Sequence, residues 1–287
     1  MTEGSIDKRQ VRRSFERAAS RYDEAAELQR EISDRMIERL NYVRVEPRLV
    51  LDLGSGTGYA IDPLRRRFGK AGVVALDLAH SMLVEVRRRG RWLRRPRCIC
   101  ADAESLPLAD GSVDLIFSNA TLQWCNDLQG AFREFARVLS PGGLLLFSTF
   151  GPDTLKELRA AWSQADGYSH VSSFPDMHDV GDDLLRAGFL DPVMDAERLT
   201  LTYSSVSDLM RDLKLIGAGN ATDGRPRGLT GRRRYRVMEQ HYETYRKAGR
   251  LPATYEVVYG LAWAPVQRAV ADGIAVPISA IGRGPRR

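Results

Sequence analysis

The sequence is poor in cysteine and has no long apolar run, and each shortage excludes a class of protein. Its three cysteines, Cys98, Cys100 and Cys125, are too few for a disulfide framework and lack metal-ligand spacing. We therefore expect buried thiols in a reducing compartment, and no metal site. No stretch approaches the ~18 apolar residues of a membrane-spanning helix. The first thirty residues mix acidic side chains with arginine, unlike a secretory signal or a transit peptide, so we expect a cytoplasmic protein.

Lysine is also scarce, because only five of the 43 basic residues are lysine and the other 38 are arginine. The formal net charge is +6 and the sequence pI is about 9.4. The chain has 287 residues, of which 43% are hydrophobic and 28% charged, as is ordinary for a globular protein with a sizeable core. Its positive charge favours an acidic partner such as nucleic acid, anionic lipid or an acidic protein.

Short apolar runs alternate with helical patterns through the first half of the chain. The apolar runs lie at 48–53, 72–78, 97–101, 113–118 and 143–150, with helical patterns at 61–68, 81–90 and 128–139 between them. This alternation predicts an α/β fold with a parallel sheet and right-handed crossovers. A helical segment at 6–40 precedes it, with an apolar stripe that includes Leu28 and Ile32. Pro-Gly-Gly at 141–143 predicts a turn before the fifth strand.

The second half of the chain has a looser pattern. Helical patterns occupy 153–164 and 177–186, a strand or hairpin occupies 189–203, a polar helix-rich block occupies 205–250, and a strand occupies 254–262. The helical block between two late strands predicts a lid over the carboxyl edge of the sheet. We expect one domain at 1–264, followed by a basic tail at 265–287 that is poorly ordered at its end.

Three alternating glycines, Gly54, Gly56 and Gly58, follow the first apolar run directly. Glycines at such a turn let the backbone bend tightly and let a ligand touch the main chain. Their spacing differs from the Gly-x-Gly-x-x-Gly of dinucleotide sites. Asp52, just before the loop, is a poor neighbour for a pyrophosphate and a good one for an ammonium or a sulfonium. The loop therefore predicts a site for a cationic ligand.

Two further carboxylates follow the next two strands. Asp77 lies 23 residues after Gly54, near the spacing of about 20 at which a carboxylate accepts from ribose hydroxyls. The alternative for Asp77 is a helix cap. Asp102 follows the third strand and could accept from an adenine amino group, or be a solvated loop residue. Ligands in such sheets bind beyond the carboxyl ends of the strands, so these residues predict a nucleoside site there.

These residues resemble the class I S-adenosylmethionine-dependent methyltransferases, at least over 48–150. The resemblance implies a Rossmann-like, mostly parallel seven-stranded sheet with helices on both faces, and S-adenosylmethionine as methyl donor. It implies that the loop at 54–58 holds the methionine end of this cofactor, Asp77 its ribose and Asp102 its adenine. The full set of implied cofactor-binding residues is Tyr22, Gln29, Asp52, Gly54, Ser55, Gly56, Gly58, Asp77, Leu78, Asp102, Ala103 and Asn119.

A narrower resemblance covers the chain up to about Trp263. The segments are 15–22 (FERAASRY), 28–30 (LQR), 102–108 (DAESLPL), 118–125 (SNATLQWC), 147–151 (FSTFG), 154–158 (TLKEL), 213–218 (LKLIGA) and 254–257 (TYEV). Together they resemble the malonyl-[acyl-carrier-protein] O-methyltransferases of biotin biosynthesis. The resemblance implies transfer of a methyl group to the free carboxylate of malonyl carrier protein. The resulting methyl ester starts the pimeloyl chain, and the partner is an acidic acyl carrier protein.

The implied chemistry needs no general base, because a malonyl carboxylate with a pKa of about 3.9 is ionised at pH 7. We therefore assign no catalytic base. A carboxylate in a partly dry site needs a cation or several donors. Lys214 is the first candidate and Arg211 the second, with a solvated helix position as the alternative for Lys214. The other substrate-binding candidates are Tyr22, Asn119, Gln123 and Trp124. Tyr22 and Gln29 lie seven residues apart on the predicted first helix and would share a face.

Arginine runs at 65–67, at 87–89 with Arg91, Arg94 and Arg95, and at 232–234 are candidate docking patches for the carrier protein. Taken singly, each is typical of a solvated face. Two other functions stay open. The high pI suggests an RNA methyltransferase, although the chain has no appended RNA-binding motif and we expect no stable nucleic-acid partner and no membrane. A cofactor-binding arginine hydroxylase or assembly factor is the third hypothesis, because a mitochondrial relative of the family keeps similar motifs.

Overall fold

The computed structural model describes residues 5–90, 96–221 and 231–266. The predictions for Arg91, Arg94, Arg95 and the tail after Val266 lie outside the described residues. The helices are α1 (Lys8–Ala18), α2 (Glu27–Arg39), α3 (Ile61–Arg67), α4 (His80–Arg89), α5 (Leu128–Val138), α6 (Lys156–Ser163), α7 (Met177–Arg186), α8 (Val206–Leu215) and α9 (Arg232–Glu243). The strands are β1 (Leu49–Leu53), β2 (Gly72–Asp77), β3 (Arg97–Cys100), β4 (Val113–Ser118), β5 (Leu139–Phe150), β6 (Leu190–Tyr203) and β7 (Leu251–Trp263).

The seven strands form one sheet in the order β3-β2-β1-β4-β5-β7-β6. Strands β1 to β5 run parallel to one another, whereas β7 runs antiparallel to both β5 and β6. The prediction of a mostly parallel, seven-stranded sheet is confirmed. The carboxyl ends of β1, β2 and β4 meet at one edge, and the first residues of the glycine loop extend from that edge.

Helices cover both faces of the central strands, whose successive side chains point alternately to the two faces. Val50 and Leu144 belong to a core with side chains of α2, α3, α6 and α9, whereas Leu51 and Leu145 belong to a core with α5 and α7. The prediction of helices on both faces is confirmed. Such a sheet leaves its carboxyl edge as the place for a ligand.

The N-terminal segment consists of two helices and not one. A short 3-10 turn at 22–24 separates α1 from α2. The prediction that Tyr22 and Gln29 share a face of one helix is therefore wrong, because Tyr22 lies in the turn and Gln29 in α2. The apolar stripe that begins at Leu28 belongs to α2 alone, since α1 packs its own apolar side against a different surface, next to Met82 of α4.

The Pro-Gly-Gly at 141–143 is not a turn before the fifth strand. Strand β5 begins at Leu139 and runs through these residues. Gly142 has a φ of +73°, and the pairing with β4 shifts register between Val113 and Leu115. The extra residues form an irregularity of the β-bulge kind, in which glycine supplies the left-handed conformation.

The cysteines are free, and Cys98 and Cys125 are half-buried. The prediction of buried thiols is wrong for Cys100, which is exposed because β3 is the edge strand of the sheet. Among the described residues, no group of three or more histidine, cysteine, aspartate or glutamate side chains is arranged to hold a metal ion. No helix within the described part of the chain is both long and apolar enough to cross a membrane.

The second half of the chain follows the predicted order of elements. The predicted strand or hairpin at 189–203 is the single strand β6, which pairs with β7 along nearly its whole length. In the sequence, helices α8 and α9 lie between β6 and β7, as the helical-block pattern predicts. Helix α9 packs on α6, and the end of α8 borders a large cavity.

Candidate functional site

Two adjoining cavities lie at the carboxyl edge of the sheet. We call the narrow one, of about 80 Å³, the inner cavity, and the large one, of about 780 Å³, the outer cavity. Of the predicted residues, the inner cavity is lined by Tyr22, Gly54, Gly56, Asp77, Leu78, Asp102, Ala103, Asn119 and Trp124. The outer cavity is lined by Tyr22, Gln29, Gln123, Trp124, Arg211 and Lys214. Tyr22 and Trp124 line both, so they form part of the wall between the two cavities.

The packing around the glycine loop leaves no room for a side chain at Gly54. This residue has a φ of +69°, and a Cβ placed on it would lie 1.9 Å from the Oγ1 of Thr121. Its backbone N–H donates to the carbonyl of Leu76 at 2.8 Å. Gly56 has a φ of +52° and lines the inner cavity with its backbone. The loop therefore presents main chain to the inner cavity with no side chain between.

Three of the predicted cofactor residues lie behind this surface. Asp52, Ser55 and Gly58 are not among the residues that line the two cavities. A Cβ on Gly58 would lie 3.1 Å from the side chain of Val86, so this glycine allows α4 to pack against the loop. A direct role of these three residues at the cofactor stays a prediction.

Asp77 organises the glycine loop. Its Oδ2 accepts from the Gly56 N–H at 2.9 Å, and its Oδ1 accepts from the Ala79 N–H at 2.8 Å. Burial raises the pKa of Asp77 to about 6 despite these hydrogen bonds. Helix α4 is capped by Glu16 of α1 and not by Asp77, because Glu16 accepts from the backbone N–H of His80 at 2.8 Å. Asp77 thus holds the loop and also lines the inner cavity.

Asp52 is a buried carboxyl with an unused oxygen. The residue is 2% exposed, and its Oδ2 has no hydrogen-bond partner among the described residues. Burial, together with the nearby charge of Asp77, raises the pKa of Asp52 to about 8. A cation bound close by would stabilise the ionised form and reverse this shift. The residues present therefore fit a ligand that carries an ammonium and a sulfonium, such as S-adenosylmethionine.

Lys8 is a site residue that the sequence analysis missed. Its Nζ lies 2.5 Å from the Oδ1 of Asp102 and also pairs with Glu104, and the side chain lines the inner cavity. Burial acts to lower the pKa of Lys8, but the hydrogen bonds to both carboxylates outweigh it and raise the pKa. The scarcity of lysine is the one signal that marks Lys8 in the sequence. The ion pair fixes α1 across the mouth of the inner cavity.

The wall between the cavities is held by aromatic and amide contacts. Phe15 of α1 meets Trp124 edge to face, with ring centroids 5.5 Å apart. Asn119 donates from Nδ2 to the carbonyl of Gln29 at 2.8 Å, which ties α2 to the end of β4. Burial raises the pKa of the Tyr22 hydroxyl well above its ordinary value. Tyr22 is therefore a neutral hydroxyl that can donate at this wall.

The outer cavity is mainly apolar, with a few polar groups. Gln29 and Gln123 each have a buried Oε1 that lacks a hydrogen-bond partner within the described residues. Lys214 is exposed at the rim and makes no ion pair among the described residues, whereas Arg211 pairs with Asp208 at 2.7 Å. The volume of about 780 Å³ lies within the usual range of ligand sites, about 300–1,000 Å³.

His170 is a second lining residue that the sequence analysis missed. Its Nε2 lies 2.8 Å from the Oδ1 of Asp166, and its ring stacks on Trp162 with centroids 3.8 Å apart. Both side chains of the His170–Asp166 pair are nearly buried. No sequence motif marks this cluster, because Asp166 and His170 come from the irregular segment after α6, whereas Trp162 lies in α6 itself. His170 thus adds a polar side chain to the lining of the outer cavity.

The known proteins with similar sequences are methyltransferases, which is consistent with the geometry of this site. A family model described as a methyltransferase domain matches residues 51–147, from β1 into β5. A malonyl-[acyl-carrier protein] O-methyltransferase of Halorhodospira halophila is 58% identical over 261 residues, covering 90% of this chain and 88% of that protein. Another, from Nitrosospira multiformis, is 53% identical over 279 residues, covering 92% and 91%.

Solved structures show the same fold at low identity. A methyltransferase solved in complex with the Trm112 activator of Haloferax volcanii has a TM-score of 0.57 and 21% identity, covering 90% of this chain and 99% of that one. The YcgJ protein of Bacillus subtilis also has a TM-score of 0.57, with 17% identity and coverage of 82% and 98%. The fold is that of the class I methyltransferases. Since relatives more than 50% identical cover about nine tenths of both chains, the chain belongs to the malonyl-[acyl-carrier protein] O-methyltransferase family.

Proposed function

We propose that the protein transfers a methyl group from S-adenosylmethionine to the free carboxylate of malonyl-acyl-carrier protein. One observation carries the proposal. An inner cavity built from a glycine loop and carboxylates shares a wall with an apolar outer cavity of about 780 Å³. Such a pair of sites places a nucleoside-type donor next to a separate acceptor. Family membership names the donor and the acceptor.

The donor would be held by the residues around the inner cavity. Bound there, S-adenosylmethionine supplies an electrophilic methyl group on a sulfonium. The backbone of Gly54 and Gly56 allows its close approach, Asp77 accepts from hydroxyls, and Asp102 accepts from an amino group. Asp52 supplies negative charge behind the loop. Lys8 keeps α1 closed over this end of the site.

The acceptor needs to be positioned and kept dry, and it needs no base. Its carboxylate, with a pKa of about 3.9, is already a nucleophile at pH 7. Apolar side chains of the outer cavity, among them Phe150 and Leu158, exclude water from the bound arm. Positioning next to the wall at Tyr22 then accounts for much of the rate. The Tyr22 hydroxyl can donate to the carboxylate and orient it, whereas the unpartnered amide atoms of Gln29 and Gln123 are Oε1 acceptors.

Lys214 is proposed as the cation that selects a malonyl over an acetyl arm, because it lines the outer cavity and its charge is unpaired among the described residues. The Lys214→Ala variant should bind malonyl carrier protein about tenfold more weakly, which corresponds to loss of one charge-assisted contact. Its affinity for acetyl carrier protein should stay unchanged. Lys247→Ala, at an exposed site away from both cavities, is the matched control. An equal preference for malonyl in Lys214→Ala and wild type would exclude this role.

The relatives favour this function over the two alternatives. Proteins named malonyl-[acyl-carrier protein] O-methyltransferase match nearly the whole chain, including the lid segment, and not only the cofactor-binding core. These names support a carboxyl acceptor rather than RNA or a protein arginine. By the same resemblance the methyl ester would start the pimeloyl chain of biotin. The acyl carrier protein as partner and the cytoplasm as location are part of the proposal.

The test is a mass measurement on the carrier protein. Purified protein is incubated with S-adenosylmethionine and malonyl carrier protein, and the intact mass of the carrier is recorded. We expect a gain of one methylene on the malonyl arm and no change with acetyl carrier protein, which lacks the carboxylate. An unchanged malonyl carrier, in a preparation shown to bind S-adenosylmethionine, would refute the proposed function.

A further inference from the structure

The exposed face of α1 carries a stripe of arginines that leads to the mouth of the outer cavity. We propose that Arg9, Arg13 and Arg17, which we call the α1 stripe, form the docking surface for the acidic carrier protein. The inference rests on the proposed function and identifies the surface of the partner. None of the arginine runs considered from the sequence includes these three residues.

The spacing of the stripe places it on one side of the helix. The three arginines lie at i, i+4 and i+8, so they follow one another along about 12 Å of the helix axis. All three are exposed, and the Nε of Arg17 donates to the carbonyl of Arg13 at 3.1 Å. The opposite side of α1 presents Val11 and Phe15 to the inner cavity. One helix thus closes the cofactor site with one face and offers positive charge to solvent with the other.

The stripe ends where an acyl arm would enter. Arg17 lines the outer cavity, as do Ser14 and Arg21 next to it. Lys214 lies on the same rim, contributed by α8. A protein docked on α1 would therefore sit beside the opening, and a flexible arm attached to it could pass into the cavity.

The charges of the stripe are unfavourable for α1 itself. Arg9 lies in the first turn, where the helix dipole disfavours a cation, and this turn contains no acidic residue. Like charges at i and i+4 destabilise a helix. Arg9 and Arg13 make no ion pair among the described residues, whereas their neighbour Arg12 lies 3.7 Å from Glu16. An acidic partner would supply the missing opposite charge.

The arginine runs predicted from the sequence are less suited to docking. None of the residues at 65–67, 87–89 and 232–234 lines the outer cavity. Several are engaged within the protein, since Arg67 donates to the carbonyl of Leu40 and Arg89 pairs with Asp23. The runs on α3 and α4 lie at the C-terminal ends of these helices, which begin at the carboxyl edge and lead away from it.

The test is the affinity for acetyl carrier protein, which binds without reacting. The variant is Arg9→Glu/Arg13→Glu, because neither residue lines a cavity and glutamate keeps the helix propensity of arginine. We expect the Kd for the carrier protein to rise about tenfold or more at low salt, with the Kd for S-adenosylmethionine unchanged. The matched control is Arg66→Glu/Lys70→Glu, which makes the same change of charge at exposed positions at and beyond the end of α3.

Each outcome of the affinity measurement supports or overturns the docking surface. A loss of carrier affinity in the stripe variant alone supports the docking surface, even if no methyl transfer is found. Equal losses in both variants would show that net charge acts and not the stripe. Unchanged carrier affinity overturns the proposal. If the stripe variant instead lost affinity for a duplex RNA while keeping that for the carrier protein, the stripe would be a nucleic-acid surface.

Discussion

At the scale of single residues, the site depends on carboxyls whose environment is set by burial. Asp52 and Asp77 have pKa values raised to about 8 and about 6, since both are removed from water on the same side of the glycine loop. For a buried aspartate with a raised pKa, the stabilising contribution is fully present below the ordinary value of about 3.9 and is lost as the pH rises through about 8. A bound cation would reverse this penalty, so we expect Asp52 to couple proton release to cofactor binding.

The first prediction concerns this coupling. At a pH of about 6.5, where free Asp52 is mostly protonated, binding of S-adenosylmethionine should release protons, and affinity should rise toward pH 8. The Asp52→Asn variant should release fewer protons and show a flatter pH dependence. Calorimetry in two buffers of different ionisation enthalpy measures the protons released. Comparison of the two proteins cancels the titration of the ligand itself.

Asp52 also allows a control experiment in the absence of ligand. Asn cannot ionise, so at a pH of about 9 the cofactor-free Asp52→Asn variant should melt at a higher temperature than the wild type. At a pH near 5 this advantage should be much smaller. Proton release that is the same in both proteins would contradict a role for Asp52 near the cation.

The second prediction concerns Gly54. Alanine there would need a φ of +69° and would meet the side chain of Thr121. The left-handed conformation alone costs about 1–2 kcal/mol, and the clash adds to it. We expect Gly54→Ala to lower the free energy of unfolding by at least about 2 kcal/mol and to weaken cofactor binding. Gly69→Ala, which has open space and no positive φ, should stay within about 0.5 kcal/mol of wild type. Similar losses in both variants would argue against a special constraint at Gly54.

At the scale of elements, α1 acts as the cover of the inner cavity. Lys8 ties it to the loop after β3, and Glu16 ties it to the start of α4. Helix α1 has only Val11 and Ala18 fully buried, so these polar contacts contribute much of its attachment. The cover therefore has a small number of identifiable contacts that set how readily the cofactor site opens.

The third prediction follows from that cover. The Lys8→Met variant keeps the length of the side chain but leaves Asp102 and Glu104 without their cation. We expect S-adenosylmethionine to dissociate about three- to tenfold faster, which corresponds to about 0.7–1.4 kcal/mol, near the net contribution of one ordinary hydrogen bond. Stopped-flow displacement measures the rate, and Lys70→Met is the control, since Lys70 is exposed beyond the end of α3 and lines neither cavity. Slower dissociation in Lys8→Met would show that the ion pair competes with the ligand instead of closing the cover.

Elements differed in how far they could be predicted from the sequence. The strands β1, β2 and β4 were predictable because each is a short apolar run that the fold buries on both faces. The break between α1 and α2 was not, because Tyr22 lies among residues that suit either a helix or a turn, and its surroundings come from the glycine loop and the start of α4. Lys8 was missed for a similar reason, since its partner Asp102 is 94 residues away. The pattern of a sequence reports local preference, whereas such contacts depend on the finished fold.

At the scale of the whole molecule, the two faces of α1 join the two halves of the proposed function. One face encloses the donor, the other carries positive charge, and the outer cavity opens between α1 and α8. The net charge of +6 predicted an acidic partner, but it did not predict the location of the docking surface. A count of charges does not show where on the surface the charges lie. The arginine runs that stand out in the sequence lie away from the outer cavity.

The last prediction follows from that charge distribution. Docking through exposed arginines should weaken with added salt, because the Debye length falls from about 10 Å at 0.1 M to about 3 Å at 1 M. We expect the KM for malonyl carrier protein to rise about tenfold over this range and the Kd for S-adenosylmethionine to change much less, since its charged contacts are buried. Arg9→Glu/Arg13→Glu should show a shallower dependence of KM on salt than wild type. If the KM were insensitive to salt, the carrier protein would have to be recognised through its acyl arm in the outer cavity, with α1 serving only as the cover of the cofactor.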